Sequence, residues 1–198
     1  FVGGYDGSSK NIAERYDPAT NQWETLNPMS VARDNVAAAV LNGKLYAIGG
    51  QNLSSVEIFD PATGQWSAGT ELPGEVNHGI AITVGGKILL VGGRNSADQP
   101  SNQVVEFDPG TNQWSQKAAM PTARHGMKLV LFEGKVWVIG GHDESTQVDK
   151  VEIYDPATNT WSTGPSLTTA RHWASAWVAS GRIYVAGGYD GSSHLNSI

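Results

Sequence analysis

The chain has no cysteine among its 198 residues. A disulfide framework, a cysteine-ligated zinc site, an iron–sulfur cluster and a cysteine nucleophile are therefore all excluded. It lacks any apolar run approaching the ~18 residues that a membrane-spanning helix needs, and no secretory leader pattern opens it. It also lacks an excess of basic residues: 13 Lys and Arg face 19 Asp and Glu, for a formal charge of −6. A surface that tracks phosphates needs clustered cations, so neither nucleic acid nor a membrane is an expected partner. What is present is enough apolar material, 39% of residues, for a real core, together with 24 glycines and 7 tryptophans. Glycine at that level without a three-residue period points to many turns in a soluble protein.

Those glycines recur in pairs. Gly3-Gly4, Gly49-Gly50, Gly92-Gly93, Gly140-Gly141 and Gly187-Gly188 stand 46, 43, 48 and 47 residues apart. Between them comes an aromatic-Asp-Pro triplet, led by Tyr16, Phe59, Phe107 and Tyr154, and five residues after each proline a tryptophan: Trp23, Trp66, Trp114 and Trp161. Periods of this size belong to propellers, solenoids and arrays. From each of these tryptophans to the next diglycine the distance is always 26 residues, whereas from diglycine to proline it is 15, 12, 17 and 16. The constant part reads as hydrogen-bonded scaffold and the variable part as an exposed loop.

Short apolar runs precede each diglycine: Leu45–Ile48, Ile88–Val91, Val136–Ile139 and Ile183–Ala186. Bounded by glycine and too short for helices, they predict buried strands. A second apolar run lies upstream of each, joined by a turn such as Asn42-Gly43, which is a hairpin signal. A third strand ends at the aromatic-Asp-Pro triplet, where proline stops the ladder, and a fourth carries the tryptophan. Four antiparallel strands per unit make a propeller blade. The motif glycines, tryptophans and aromatics are structural in this reading. The units run roughly over 1–28, 29–71, 72–119, 120–166 and 167–198.

These motifs, with segments such as Pro28-Met29-Ser30-Val31-Ala32-Arg33, resemble the Kelch repeat family over essentially the whole chain. The resemblance implies an all-β, Kelch-type β-propeller of four-stranded antiparallel blades, with four blades' worth here. Kelch rings commonly have six or seven blades. The end of the chain, Gly187–Ser193, repeats Gly3–Ser9, and a ring of four would have no use for both copies. The chain is therefore expected to be a segment of a longer ring; pairing of two chains into an eight-bladed ring is the alternative.

Fold alone does not give function. The resemblance implies a non-catalytic module that binds a protein, peptide or ligand on the loop face around the channel. Its alternative is a carbohydrate-active or sialic-acid-epimerase-like enzyme. The copper radical oxidases of this fold need a cysteine–tyrosine crosslink that this chain cannot make. Family contacts come from loops after the diglycine and from the start of the innermost strand. Carried onto this chain, they give Asn52, Arg94, Asn95 and His142 in the loops, and Arg33, His78, Arg124, His125, Arg171 and His172 at the strand starts. Val76 stands where the other units have Arg33, Arg124 and Arg171, so charge-based recognition should weaken there. Arginine forks suit a carboxylate, so an acidic peptide is one expected partner and a glycan another. No metal motif joins the histidines, and no metal or other cofactor is expected. Trp173 breaks the pattern of its strand start and is expected to fill core beside Trp177, with stacking on a sugar or ligand ring as the alternative.

Overall fold

The computed structural model describes residues 1–197. It contains sixteen β-strands and no helix among them, so none is long and apolar enough to cross a membrane. Blade 1 comprises β3 (Ala37–Leu41), β4 (Lys44–Ile48), β5 (Val56–Asp60) and β6 (Gln65–Ala68). Blade 2 comprises β7 (Ile80–Val84), β8 (Lys87–Val91), β9 (Val104–Asp108) and β10 (Gln113–Gln116). Blade 3 comprises β11 (Lys128–Phe132), β12 (Lys135–Ile139), β13 (Val151–Asp155) and β14 (Thr160–Thr163). Each is a four-stranded antiparallel meander in sequence order. Two half-blades flank them: the outer pair β1 (Glu14–Asp17) and β2 (Gln22–Thr25), and the inner pair β15 (Ser175–Ala179) and β16 (Arg182–Ala186). Sixteen strands are four blades' worth, laid out as three whole blades and two complementary halves.

The two aromatic motifs are cross-strand partners. Phe59 faces Trp66, Phe107 faces Trp114 and Tyr154 faces Trp161, with ring centroids 5.1–5.3 Å apart and planes tilted by 46–48°, a favourable arrangement for aromatic pairs. Each indole N–H then reaches back one blade. Trp66 Nε1 donates to the Asn27 carbonyl at 2.8 Å, Trp114 to Thr70 at 2.9 Å and Trp161 to Ala118 at 2.8 Å. The core lies in layers between neighbouring blades. Leu90 and Phe107 pack toward Ala37, Tyr46 and Ile48 of blade 1, while Leu89 and Val91 pack toward Met127, Val136 and Tyr154 of blade 3. Strands covered on both faces explain the continuous apolar runs.

The diglycine holds successive blades together. The amide of its second residue donates to a carbonyl just before the next blade: Gly50 to Val76, Gly93 to Arg124 and Gly141 to Arg171, at 2.9–3.1 Å. At the first residue of the pair the approach leaves no room for a side chain. A Cβ on Gly92 would stand 2.8 Å from the Arg124 carbonyl oxygen, and the residue has φ +58°, a region open to glycine.

A buried ion pair stitches the inner and outer halves of two blades. Arg33, wholly buried, meets Glu57 at 3.1 Å, and Arg124 meets Glu152 at 2.6 Å. The carboxylates sit at one register position, opposite Ala47 on β4 and Val138 on β12. In blade 2 both partners are absent together: Val76 replaces the arginine, and Val105, opposite Leu90, replaces the glutamate. An ion pair and an apolar pair are thus alternative solutions at one place. Glu57→Val alone is expected to cost roughly 3–5 kcal/mol, because it strands a buried guanidinium. Arg33→Val with Glu57→Val, which copies blade 2, should recover most of that. Urea unfolding of the two variants checks this.

Candidate functional site

The channel mouth is built from two positions per blade. The residue after the diglycine and the one after the arginine position lie side by side: Asp34 with Gln51, Asn77 with Arg94, His125 with His142 and His172 with Tyr189. The last three pairs are two-way amide–carbonyl bridges. The next residue in each blade must then turn the chain into the innermost strand, and it does so with positive φ. Asn35 has +49°, His78 +56°, Gly126 +64° and Trp173 +54°. A left-handed tryptophan or histidine is uncommon enough to suggest a functional constraint.

The imidazoles form a row around this rim. His78 and His125 have ring centroids 5.7 Å apart, His125 and His142 5.5 Å, and His142 and His172 5.3 Å, and Tyr189 continues the row at 5.7 Å. Arg94, which can only donate, gives an N–H to Nε2 of His125 at 3.0 Å; the His125 proton is thereby fixed on Nδ1, which is buried without a partner. His142 accepts the Glu144 amide on its own Nδ1. Burial, then the Arg94 charge, then the neighbouring imidazoles push the His125 pKa down to about 4. Burial also lowers His78 and His172. Among the described residues no group of three or more His, Asp or Glu is arranged to hold a metal.

A cavity of about 700 Å³ opens over the row, lined by Asn52, His78, Arg94, His125, Glu144 and Trp173, with Asn35, Gln51, Asn77 and Asp98. A narrower space of about 280 Å³ shares Asn35, His78 and Trp173 and continues past Gly126 and Met127. Arg94 bridges two blades' loops, pairing with Glu144 at 2.8 Å and with Asp98 at 3.3 Å.

Of the residues expected at the site, Asn52, His78, Arg94 and His125 come together in the cavity, and His142 and His172 extend the row. Asn95 instead braces its own loop, its side-chain oxygen accepting the amides of Ala97 and Gln99. Arg33, Arg124 and Arg171 require correction. They are 0%, 0% and 7% exposed. Their side chains turn into the blades, the first two onto carboxylates and the last onto the Gly187 carbonyl. Trp173 also departs from expectation. It does not fill core but is 61% exposed, its ring centroid 4.2 Å from that of His172 at a tilt of 54°, and it leans over Gly126, where a Cβ would stand 3.1 Å from the indole. Trp177 stacks on Tyr184 instead. Asp98 and Glu144 were not anticipated; their one sequence signal is that they lie in the two longest post-diglycine loops.

Repeated four-stranded antiparallel blades around a shared channel define a β-propeller. The KLHDC2/KLHL20/DRC7 Kelch-repeats domain model matches residues 35–198 and the Kelch motif matches residues 2–30; the chain belongs to the Kelch repeat family. It is 39% identical over 59 residues to Kelch-like ECH-associated protein 1A of Danio rerio, covering 27% of this chain and 10% of that protein. It is 50% identical over 40 residues to Kelch-like protein 4 of Homo sapiens, covering 20% and 6%. These matches thus span a tenth or less of the curated relatives. The solved structure of YjhT shares the fold, with TM-score 0.81 and 21% identity over 94% of this chain and 71% of that one.

The depressed histidines give a pH signature. Unfolded histidine takes up a proton near pH 6.5, while folded His125 resists until about 4. Between those values the unfolded chain binds more protons, so stability falls as pH drops through that window and is flat above it on this account. The urea midpoint should fall between pH 7 and pH 5, and His125→Gln should reduce the drop.

Proposed function

We propose that the chain is a non-catalytic binding module whose channel mouth receives a segment of a protein partner. The observation that carries this reading is Trp173, a large apolar side chain held exposed over a polar cavity by an unfavourable backbone conformation. Tryptophan is among the residues enriched at binding hot spots. The His78 imidazole in the cavity wall, its proton affinity lowered by burial, adds a polar surface without the desolvation cost of charge. The name Kelch-like ECH-associated protein records an association of that relative, which agrees with a protein partner here.

The chemistry favours an uncharged or basic segment over an acidic one. Three of the four arginines that would grip a carboxylate are inside the blades, and the fourth, Arg94, already faces Asp98 and Glu144. Asp143 adds further negative charge nearby, its own carboxyl held below the usual range by the Thr146 amide and the Ser145 hydroxyl.

Panning a displayed random-peptide library against the protein, with a glycan array in parallel, tests the proposal. Peptides should be enriched, with few acidic residues among them. Trp173→Ala should weaken their affinity by roughly thirtyfold or more and leave thermal unfolding unchanged. Affinity indifferent to Trp173→Ala, or enrichment on the glycan array alone, would reject it.

A further inference from the structure

The cavity at the channel mouth is short of one positive charge. Among the described residues its lining holds two carboxylates, Asp98 and Glu144, and one guanidinium, Arg94. Its histidines do not make up the difference near neutrality. Burial lowers the proton affinity of His78 and takes the pKa of His125 down to about 4. Asp34, buried beside Asn35, sets a further negative charge against His78.

Arg94 engages only part of each carboxylate. It meets Oε2 of Glu144 at 2.8 Å and Oδ1 of Asp98 at 3.3 Å. An ionised carboxylate has about four acceptor sites over its two oxygens, so Oε1 of Glu144 and Oδ2 of Asp98 are left for another donor. The guanidinium is the covered member of the group, 15% exposed, while Glu144 and Asp98 are 56% and 77% exposed. Arg94 is also tied down elsewhere, by Nε2 of His125 and the Asp98 carbonyl. A second cation would therefore join it rather than replace it.

An observation independent of the carboxylates points to the same kind of ligand. Trp173 packs against His172 and Gly126, yet most of its indole is open to the same cavity. Its repeat equivalents are Asn35, His78 and Gly126, so the blade itself does not call for an indole there. The face of an indole is the best aromatic partner for an ammonium or guanidinium group.

We propose that this cavity is the site of one cationic side chain, a lysine or arginine of the bound protein segment, lying against the Trp173 indole and donating to the outer oxygens of Glu144 and Asp98. This rests on the reading of the mouth as the receiver of a protein segment, and it names what that segment must carry. The narrower space beneath sets how deep the cation goes. Lys128 is the one charged residue lining that space among the described residues, and like charges repel strongly where water is scarce. The cation stays at the rim, and an uncharged part of the segment faces the channel.

Capped short peptide pools, random except for a fixed central arginine, lysine, citrulline or glutamate, test this on the immobilised whole chain. Citrulline keeps the shape of arginine without its charge. The arginine and lysine pools should be retained roughly tenfold more than the citrulline pool, and the glutamate pool least. Raising the salt should shrink that margin, and Asp98→Asn with Glu144→Gln should abolish it. Citrulline retained as well as arginine, or a cationic margin that survives the double variant, would overturn the proposal. Equal retention of all pools, lost in Trp173→Ala, would do so while leaving the protein-binding mouth intact; retention of none would remove both. Should the double variant fold poorly, Glu144→Gln alone decides, and it should cut the margin roughly threefold.

Discussion

The ring curvature of this protein depends on one main-chain hydrogen bond made again at every blade. The second glycine of each pair gives its amide to a carbonyl at the threshold of the following blade. Buried amides must find acceptors, and this one reaches its acceptor because the glycine before it carries no Cβ to crowd that carbonyl. The bond fixes the spacing of neighbouring blades at their inner ends. Apolar layers fill the wedge that opens outward, and the indole-to-carbonyl bonds close its rim. Side chains at the seam can vary while the seam itself does not. This is why Val76, Arg124 and Arg171 serve equally as its acceptors.

Much of the fold was legible because its signals are local and repeated. Strand positions followed from apolar runs and their turns from glycine. The site was only partly legible. Position along the repeat places His78, Arg94 and His125 around one cavity, since backbone register decides that. It could not tell which way a side chain turns. Arg124 and His125 are adjacent in sequence, yet one faces the inside of its blade and the other the channel. The burial of Arg124 is decided by Glu152, 28 residues later, and nothing local to the arginine announces it. A clue was present in blade 2, where Val76 and Val105 lose both partners of the pair together.

Trp173 illustrates the opposite error. Its apolar character suggests core, but its place in the repeat is a left-handed turn that Asn35, His78 and Gly126 also occupy. A side chain leaving the backbone from that conformation is directed over the neighbouring blade's rim rather than between sheets. Gly126 supplies the space it leans into. The exposure of this tryptophan is therefore set by backbone geometry and by a missing Cβ one blade away. Around the same rim burial above all, with the Arg94 charge beside His78 and His125, holds His78, His125 and His172 below the usual histidine range.

The outermost strands β6, β10 and β14 carry a consequence of a different kind. Each is four residues long and largely exposed, and each carries Gln or Thr before its tryptophan and Ser after it. They are the edges that a stacked row of blades presents to solvent. An edge that short offers few free amides and carbonyls, and its one large apolar side chain is turned against the neighbouring blade by the indole bond. Foreign strands find little there to pair with. The whole blades thus keep a sheet-rich, apolar interior without offering at their outer rim the long flat borders from which fibrils grow.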